Sequence, residues 1–81
     1  MNRDWTEDLV VTLPNGDMCR VTCGREAVEM LVRHWPTDGG VLRGQAIHSF
    51  YLLRSGQSDE GFMRTAFADA CTEAGLPVAG I

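Results

Sequence analysis

Lysine is missing from this chain altogether. Its seven basic residues are arginines, at positions 3, 20, 25, 33, 43, 54 and 64, and they form no cluster. Eleven acids outnumber them and leave a net charge of −4. Phosphate backbones are held by a concentrated positive face, so this charge pattern speaks against nucleic-acid binding. No secretory leader is expected either: residues 1–9 are polar and acidic, where a leader is basic and then apolar. No apolar run approaches the ~20 residues that span a bilayer. These absences predict a cytoplasmic protein with no membrane partner. Cysteines number only three, an odd count at a spacing that matches no disulfide scaffold, which suits the same compartment.

What is present is the composition of a small globular protein. At 81 residues the chain reads as one domain, 1–81. A chain this short buries roughly 60–65% of its unfolded surface. Little volume is left for an enclosed substrate cavity, and any pocket is expected to need a second subunit to complete it.

Trp5, alone in a polar lead-in, is expected to pack over an edge of the core. Leu9 to Leu13 is rich in β-branched residues and reads as a strand. Pro14-Asn15-Gly16 is a hairpin turn, followed by a second strand over Met18 to Cys23. The loop length sets Leu13 against Asp17, Val11 against Cys19 and Leu9 against Val21. One face then carries Leu9, Val11, Leu13, Cys19, Val21 and Cys23, and is the predicted core face. The other carries Val10, Thr12, Met18, Arg20 and Thr22, more apolar than a solvated face requires. An isolated hairpin is marginal and has two free edges. A partner strand or a covering subunit is therefore expected.

Helical spacing of Ala27, Val28, Leu31, Val32 and Trp35 predicts a first helix from Gly24 to Trp35. Glu26 and Glu29 near its start and Arg33 near its end suit the helix dipole. Pro36 stops it, and Asp38-Gly39-Gly40 turns the chain. A second helix is predicted from Val41 to Arg54, with Leu42, Ala46, Phe50 and Leu53 on one face and Ile47 and Tyr51 beside them. Gly44 costs up to ~1 kcal/mol there and is expected to admit a close backbone. A third helix starts at Ser58 as N-cap, with Phe62, Ala66, Phe67, Ala70, Cys71 and Ala74 as its buried stripe. Gly75, Leu76 and Pro77 form its stop signal. Pro77 to Ile81 reads as either a tail or a short strand. The predicted class is α+β, an N-terminal β-hairpin packed against three α-helices.

Several of these pieces together resemble one family. Glu26-Ala27, Leu31 and Trp35-Pro36 form E-A-x-x-x-L-x-x-x-W-P; Leu53 to Gly56 forms L-x-x-G; Arg64 to Phe67 forms R-x-A-F; Ala70 to Gly75 forms A-x-x-E-A-G. With the upstream strand, P-N-G turn and strand, this pattern resembles the DUF982 family, small bacterial proteins of unknown function found mainly in rhizobia. The resemblance spans nearly the whole chain. The family pattern carries an alanine before the arginine, where this chain has Met63, and a cysteine near the position of Phe50; a shared reactive thiol is thus not implied. The resemblance implies a fold and no catalytic residues.

Candidate chemistry is sparse. Cys19 and Cys23 lie roughly 13 Å apart along a strand, too far for a disulfide or an easily shared metal. Paired metal-ligand spacing is absent, so neither a metal nor a cofactor is predicted. His34 reads as a cationic partner for the first helix's C-terminus, and His48 as solvated. Ser49, Ser55 and Ser58 lack a nucleophile elbow. Arg64, one turn after Glu60, reads either as half of an i,i+4 pair or as an anchor for a loop carbonyl or a carboxylate such as Asp38. Trp35 reads as a core plug, or as an aromatic on a partner surface.

The expected function is therefore non-enzymatic: protein–protein contact as a homodimer, through Val10, Thr12, Met18 and Arg20, with an unidentified protein partner. The alternative is an anionic small-molecule binder whose pocket is framed by Trp35, Tyr51 and Arg64, near Asp38. An enzyme would require His34 or His48 to reach a cysteine or carboxylate in a cleft.

Overall fold

The computed structural model describes residues 5–37 and 40–80. Its order is β1 (Leu9–Thr12), β2 (Met18–Val21), α1 (Gly24–Arg33), α2 (Val41–Arg54), α3 (Glu60–Glu73) and β3 (Val78–Gly80). The fold is α+β. The hairpin forms in the predicted register, with Leu9 opposite Val21 and Val11 opposite Cys19. Its turn closes through Leu13 N–H to Asp17 O (2.8 Å) and Gly16 N–H to Leu13 O (2.9 Å). The Asn15 side chain adds a local bond by accepting from Asp17 N–H at 2.9 Å.

The expected partner strand comes from the chain's own C-terminal end. At the end of α3, Leu76 N–H reaches Cys71 O (2.9 Å) and Gly75 N–H reaches Thr72 O (3.1 Å). With Gly75 at φ 77°, this is a Schellman stop. Leu76 is buried, and Pro77 prevents further helix. The chain is thereby aimed at β1, where β3 pairs antiparallel, Val11 opposite Val78. The sheet order is β2-β1-β3, with β1 central.

Phe67 stands at the middle of the core, fully buried with Val11, Leu31, Met63 and Cys71. Its ring centroid lies 6.2 Å from Trp5 and 6.1 Å from Trp35. Such aromatic pairs add about 0.5–1.5 kcal/mol each beyond their area. Trp5 is thus a core residue, 2% exposed, rather than an edge cover.

Three helix details differ from the sequence reading. α1 ends at Arg33, and Met30 is buried where Val32 was expected; Val32 is 57% exposed. In α3, Met63 is buried and Phe62 is 56% exposed. The predicted Ala27 and Leu31 of α1 and Phe67, Ala70 and Cys71 of α3 are buried, and in each helix a flexible methionine joins them in place of the exposed β-branched or aromatic residue. The N-cap of α3 is Asp59, not Ser58: its Oδ1 accepts from Phe62 N–H at 2.8 Å.

The other two helices have no capping side chain at their own N-cap positions, Cys23 and Gly40. Glutamates of α3 serve instead. Glu60 Oε1 accepts from Gly24 N–H at 2.9 Å, at the start of α1. Glu73 Oε1 accepts from Leu42 N–H (3.0 Å) and Arg43 N–H (3.3 Å), at the start of α2. Each carboxylate satisfies orphan amides and places negative charge at the positive pole of a helix.

Gly40 has φ 122°, and a Cβ there would collide with the Glu73 carboxylate. A Cβ on Gly44 would meet nothing within 4 Å, so no backbone approaches it closely, against expectation. The two sites should respond with opposite sign in urea unfolding. Gly40→Ala should lower stability by about 1–3 kcal/mol through strain and loss of the cap. Gly44→Ala should raise it by up to about 1 kcal/mol. Equal effects of the same sign would refute the capping geometry.

Candidate functional site

α2 and α3 each contain 14 residues and are each about 21 Å long. A groove of about 660 Å³ runs between them on the side away from Phe67's packing face. Half-buried Leu42, Leu52 and Ala66 line it, with exposed Val41 and Phe62. Its polar lining is Gln45, His48, Ser49, Thr65 and Asp69. The small residues Gly44, Ser49 and Ala66 leave the space between the helices unfilled. The buried Ser49 hydroxyl donates to Gln45 O at 2.8 Å. That is the usual bond of a helix serine to its preceding turn, and leaves the hydroxyl without a general base.

The sequence-predicted residues are distributed over other places. Trp35 is half-buried and packs on Phe67, the core-plug reading. Its indole N–H is buried with no hydrogen-bond partner among the described residues. Tyr51 is exposed on α2, with its ring edge-on to Phe50 at 6.1 Å. Arg64 anchors a loop carbonyl: its Nε donates to Glu7 O at 3.0 Å, and Nη2 lies 3.8 Å from Glu7 Oε1. Asp38 lies outside the described residues. Arg64 lines a cleft of about 220 Å³ with Trp5, Thr6, Glu7, Glu60 and Gly61, a set that contains neither Trp35 nor Tyr51. The i,i+4 alternative for Arg64 does not form, because Glu60 Oε1 is taken by Trp5 Nε1–H (2.7 Å) and Gly24 N–H (2.9 Å).

On the outer sheet face, Val10 and Thr12 are half-buried and Met18 is 71% exposed. Arg20 Nε lies 3.4 Å from the buried Asp8 carboxylate, which occupies part of its charge. His34 is the exposed C-cap residue of α1 and lines a cleft of about 270 Å³ with Cys19, Glu26 and Glu29. His48 shares the α2–α3 groove with Asp69. Neither imidazole makes a hydrogen bond among the described residues, and no metal-binding cluster of three His, Cys, Asp or Glu occurs among them.

Among the described residues the chain is thus a small α+β domain, three antiparallel strands with three helices and an apolar groove between α2 and α3. It matches the family model described as protein of unknown function (DUF982) over residues 8–78, and it belongs to that family. No curated protein and no solved structure matches it. No helix among the described residues is long and apolar enough to cross a membrane.

All three cysteines are free thiols. Burial pushes the Cys71 thiol up to about 12. Its folded value is thus raised above its unfolded one, near 9.0. Its contribution to stability should be full below pH 9 and disappear as pH rises toward 12. A thiol reagent at pH 8 should therefore modify half-buried Cys19 and spare Cys71 until urea unfolds the chain. Mass spectrometry of the labelled peptides checks this; equal labelling of Cys71 and Cys19 in the native protein would contradict it.

Proposed function

We propose that the protein is a cytoplasmic, non-enzymatic interaction module whose working surface is the α2–α3 groove. One observation carries this reading. Val41 and Phe62 stand 71% and 56% exposed beside an apolar groove in a chain too small to spare core-forming residues. Apolar side chains gathered around a concave surface lower their free energy by meeting a partner. The back-bonded Ser49 and the neutral, deeply buried Cys71 both favour binding over covalent chemistry. Three free thiols suit a reducing compartment.

Homodimerisation through the outer sheet face is a second reading, favoured by Met18, 71% exposed on β2. The alternative of an anionic small ligand held by Trp35, Tyr51 and Arg64 has less support. Arg64 is engaged by Glu7, and Trp35 is engaged by Phe67.

Binding of the neutral dye Nile red, together with light scattering, separates these readings. Phe62→Asp should abolish dye binding while moving the unfolding free energy by no more than about 0.5 kcal/mol, as for a surface change. Unchanged dye binding would remove the groove reading. A two-chain mass that Met18→Asp reduces to one supports the dimer, and a one-chain mass at every concentration removes it.

A further inference from the structure

We propose that the α2–α3 groove receives a cationic amphipathic helix from a partner protein. This rests on the groove being an interaction surface, and adds the chemistry of what fills it. The shape comes first. Glu73, at the end of α3, caps the start of α2 through Leu42, so the two helices run antiparallel. Val41 therefore lies at one end of the groove and Phe62 toward the other. From Val41 to Leu52 the floor is about 16 Å long, three turns of helix. A third helix fits such a trough through apolar anchors spaced i, i+4, i+7 and i+11.

The charge decides which helix. Asp69 is the only acid lining the groove, and no arginine lines it. Glu73 follows one turn later on α3. Glu73 and the α3 pole are taken up by the start of α2, which leaves Asp69 as the free acid at that end, and the last turn of α3 contains no basic residue. The arginines of α2 and α3 are already engaged: Arg43 Nε donates to Leu31 O at 3.0 Å, Arg54 lies 6.0 Å over the Phe50 ring, and Arg64 holds Glu7. The whole chain is at −4. A lysine or arginine at one end of the incoming apolar stripe would meet Asp69. A second copy of this face would offer Asp69 no arginine.

Two synthetic helical peptides test the proposal, one with leucine at the anchor positions and lysine elsewhere, the other with glutamate in place of lysine. Amide spectra of the labelled protein locate the contact. The leucine–lysine peptide should shift Leu42, Gln45, Ala66 and Asp69 and bind more tightly than its acidic counterpart. Asp69→Asn should weaken it about three- to fivefold, the value of one exposed ion pair. Asp69→Lys should invert the preference between the peptides, in a protein whose remaining amide spectrum is unchanged. Equal binding of both peptides at the groove, insensitive to Asp69, would overturn the cationic partner while leaving the groove as an interaction surface. Shifts that avoid the groove for both peptides would overturn both readings. Shifts of the same amides with protein concentration alone would place a second copy there and also overturn the proposal.

Discussion

One carboxylate oxygen, Oε1 of Glu60, joins three parts of the chain that are far apart in sequence. It accepts from the Trp5 indole at 2.7 Å and from Gly24 N–H at 2.9 Å. The N-terminal segment, the start of α1 and the start of α3 therefore meet at a single atom. Hydrogen bonds to a charged acceptor are worth about 1.5–3 kcal/mol each, a large part of what an 81-residue chain can hold in net stability. The indole bond also fixes the Trp5 ring against Phe67, so the polar contact and the aromatic core support each other. A Cβ at Gly24 would lie 2.8 Å from the end of the Leu53 side chain and 3.2 Å from Glu60 Oε1, so both would have to shift.

α3 repeats this pattern along its length. Glu60 caps α1 from its first position, Arg64 holds the Glu7 carbonyl one turn later, Phe67 sits between two tryptophans, and Glu73 caps α2 from the last position. A helix so engaged on its core face and at both ends leaves one side over. That side carries Phe62, Ala66 and Asp69, and α2 faces it with Leu42 and Leu52 toward the ends of the groove and with the small Gly44 and Ser49 between them. The groove is thus a consequence of how α3 is used. Its apolar walls remain after the core has taken the residues it needs.

Local signals made much of the fold legible. Pro14-Asn15-Gly16 and the alternation on either side were enough to set the strand register, because turn length and a period of two leave few choices. Gly75-Leu76-Pro77 specified the helix stop, since each residue has a separate steric reason to be there. The short β3 was left open because three residues have too little pattern to separate a strand from a tail. The centres of the buried faces of α1 and α3 were legible in Ala27, Leu31, Phe67, Ala70 and Cys71, but their flanks were not, since Val32 and Phe62 are more apolar on paper than Met30 and Met63, which are buried instead. The caps supplied by Glu60 and Glu73 lie 36 and 31 residues from their amides, beyond any local pattern. The groove was hidden for a related reason: it lies between the flanks of two helices, and only their relative placement creates it. Helical spacing puts Phe62 in the core stripe of α3, and its exposure beside Val41 follows only from how the two helices are placed.

The central claim, that Glu60 ties the N-terminal segment to α3 through Trp5, is tested most directly by a double-mutant cycle in urea. Trp5→Phe keeps an aromatic ring and removes the indole N–H; Glu60→Ala removes the acceptor. A coupling energy of about 1 kcal/mol or more is expected between the two, as for residues that share a buried polar contact. Additive losses, with coupling below about 0.3 kcal/mol, would contradict it.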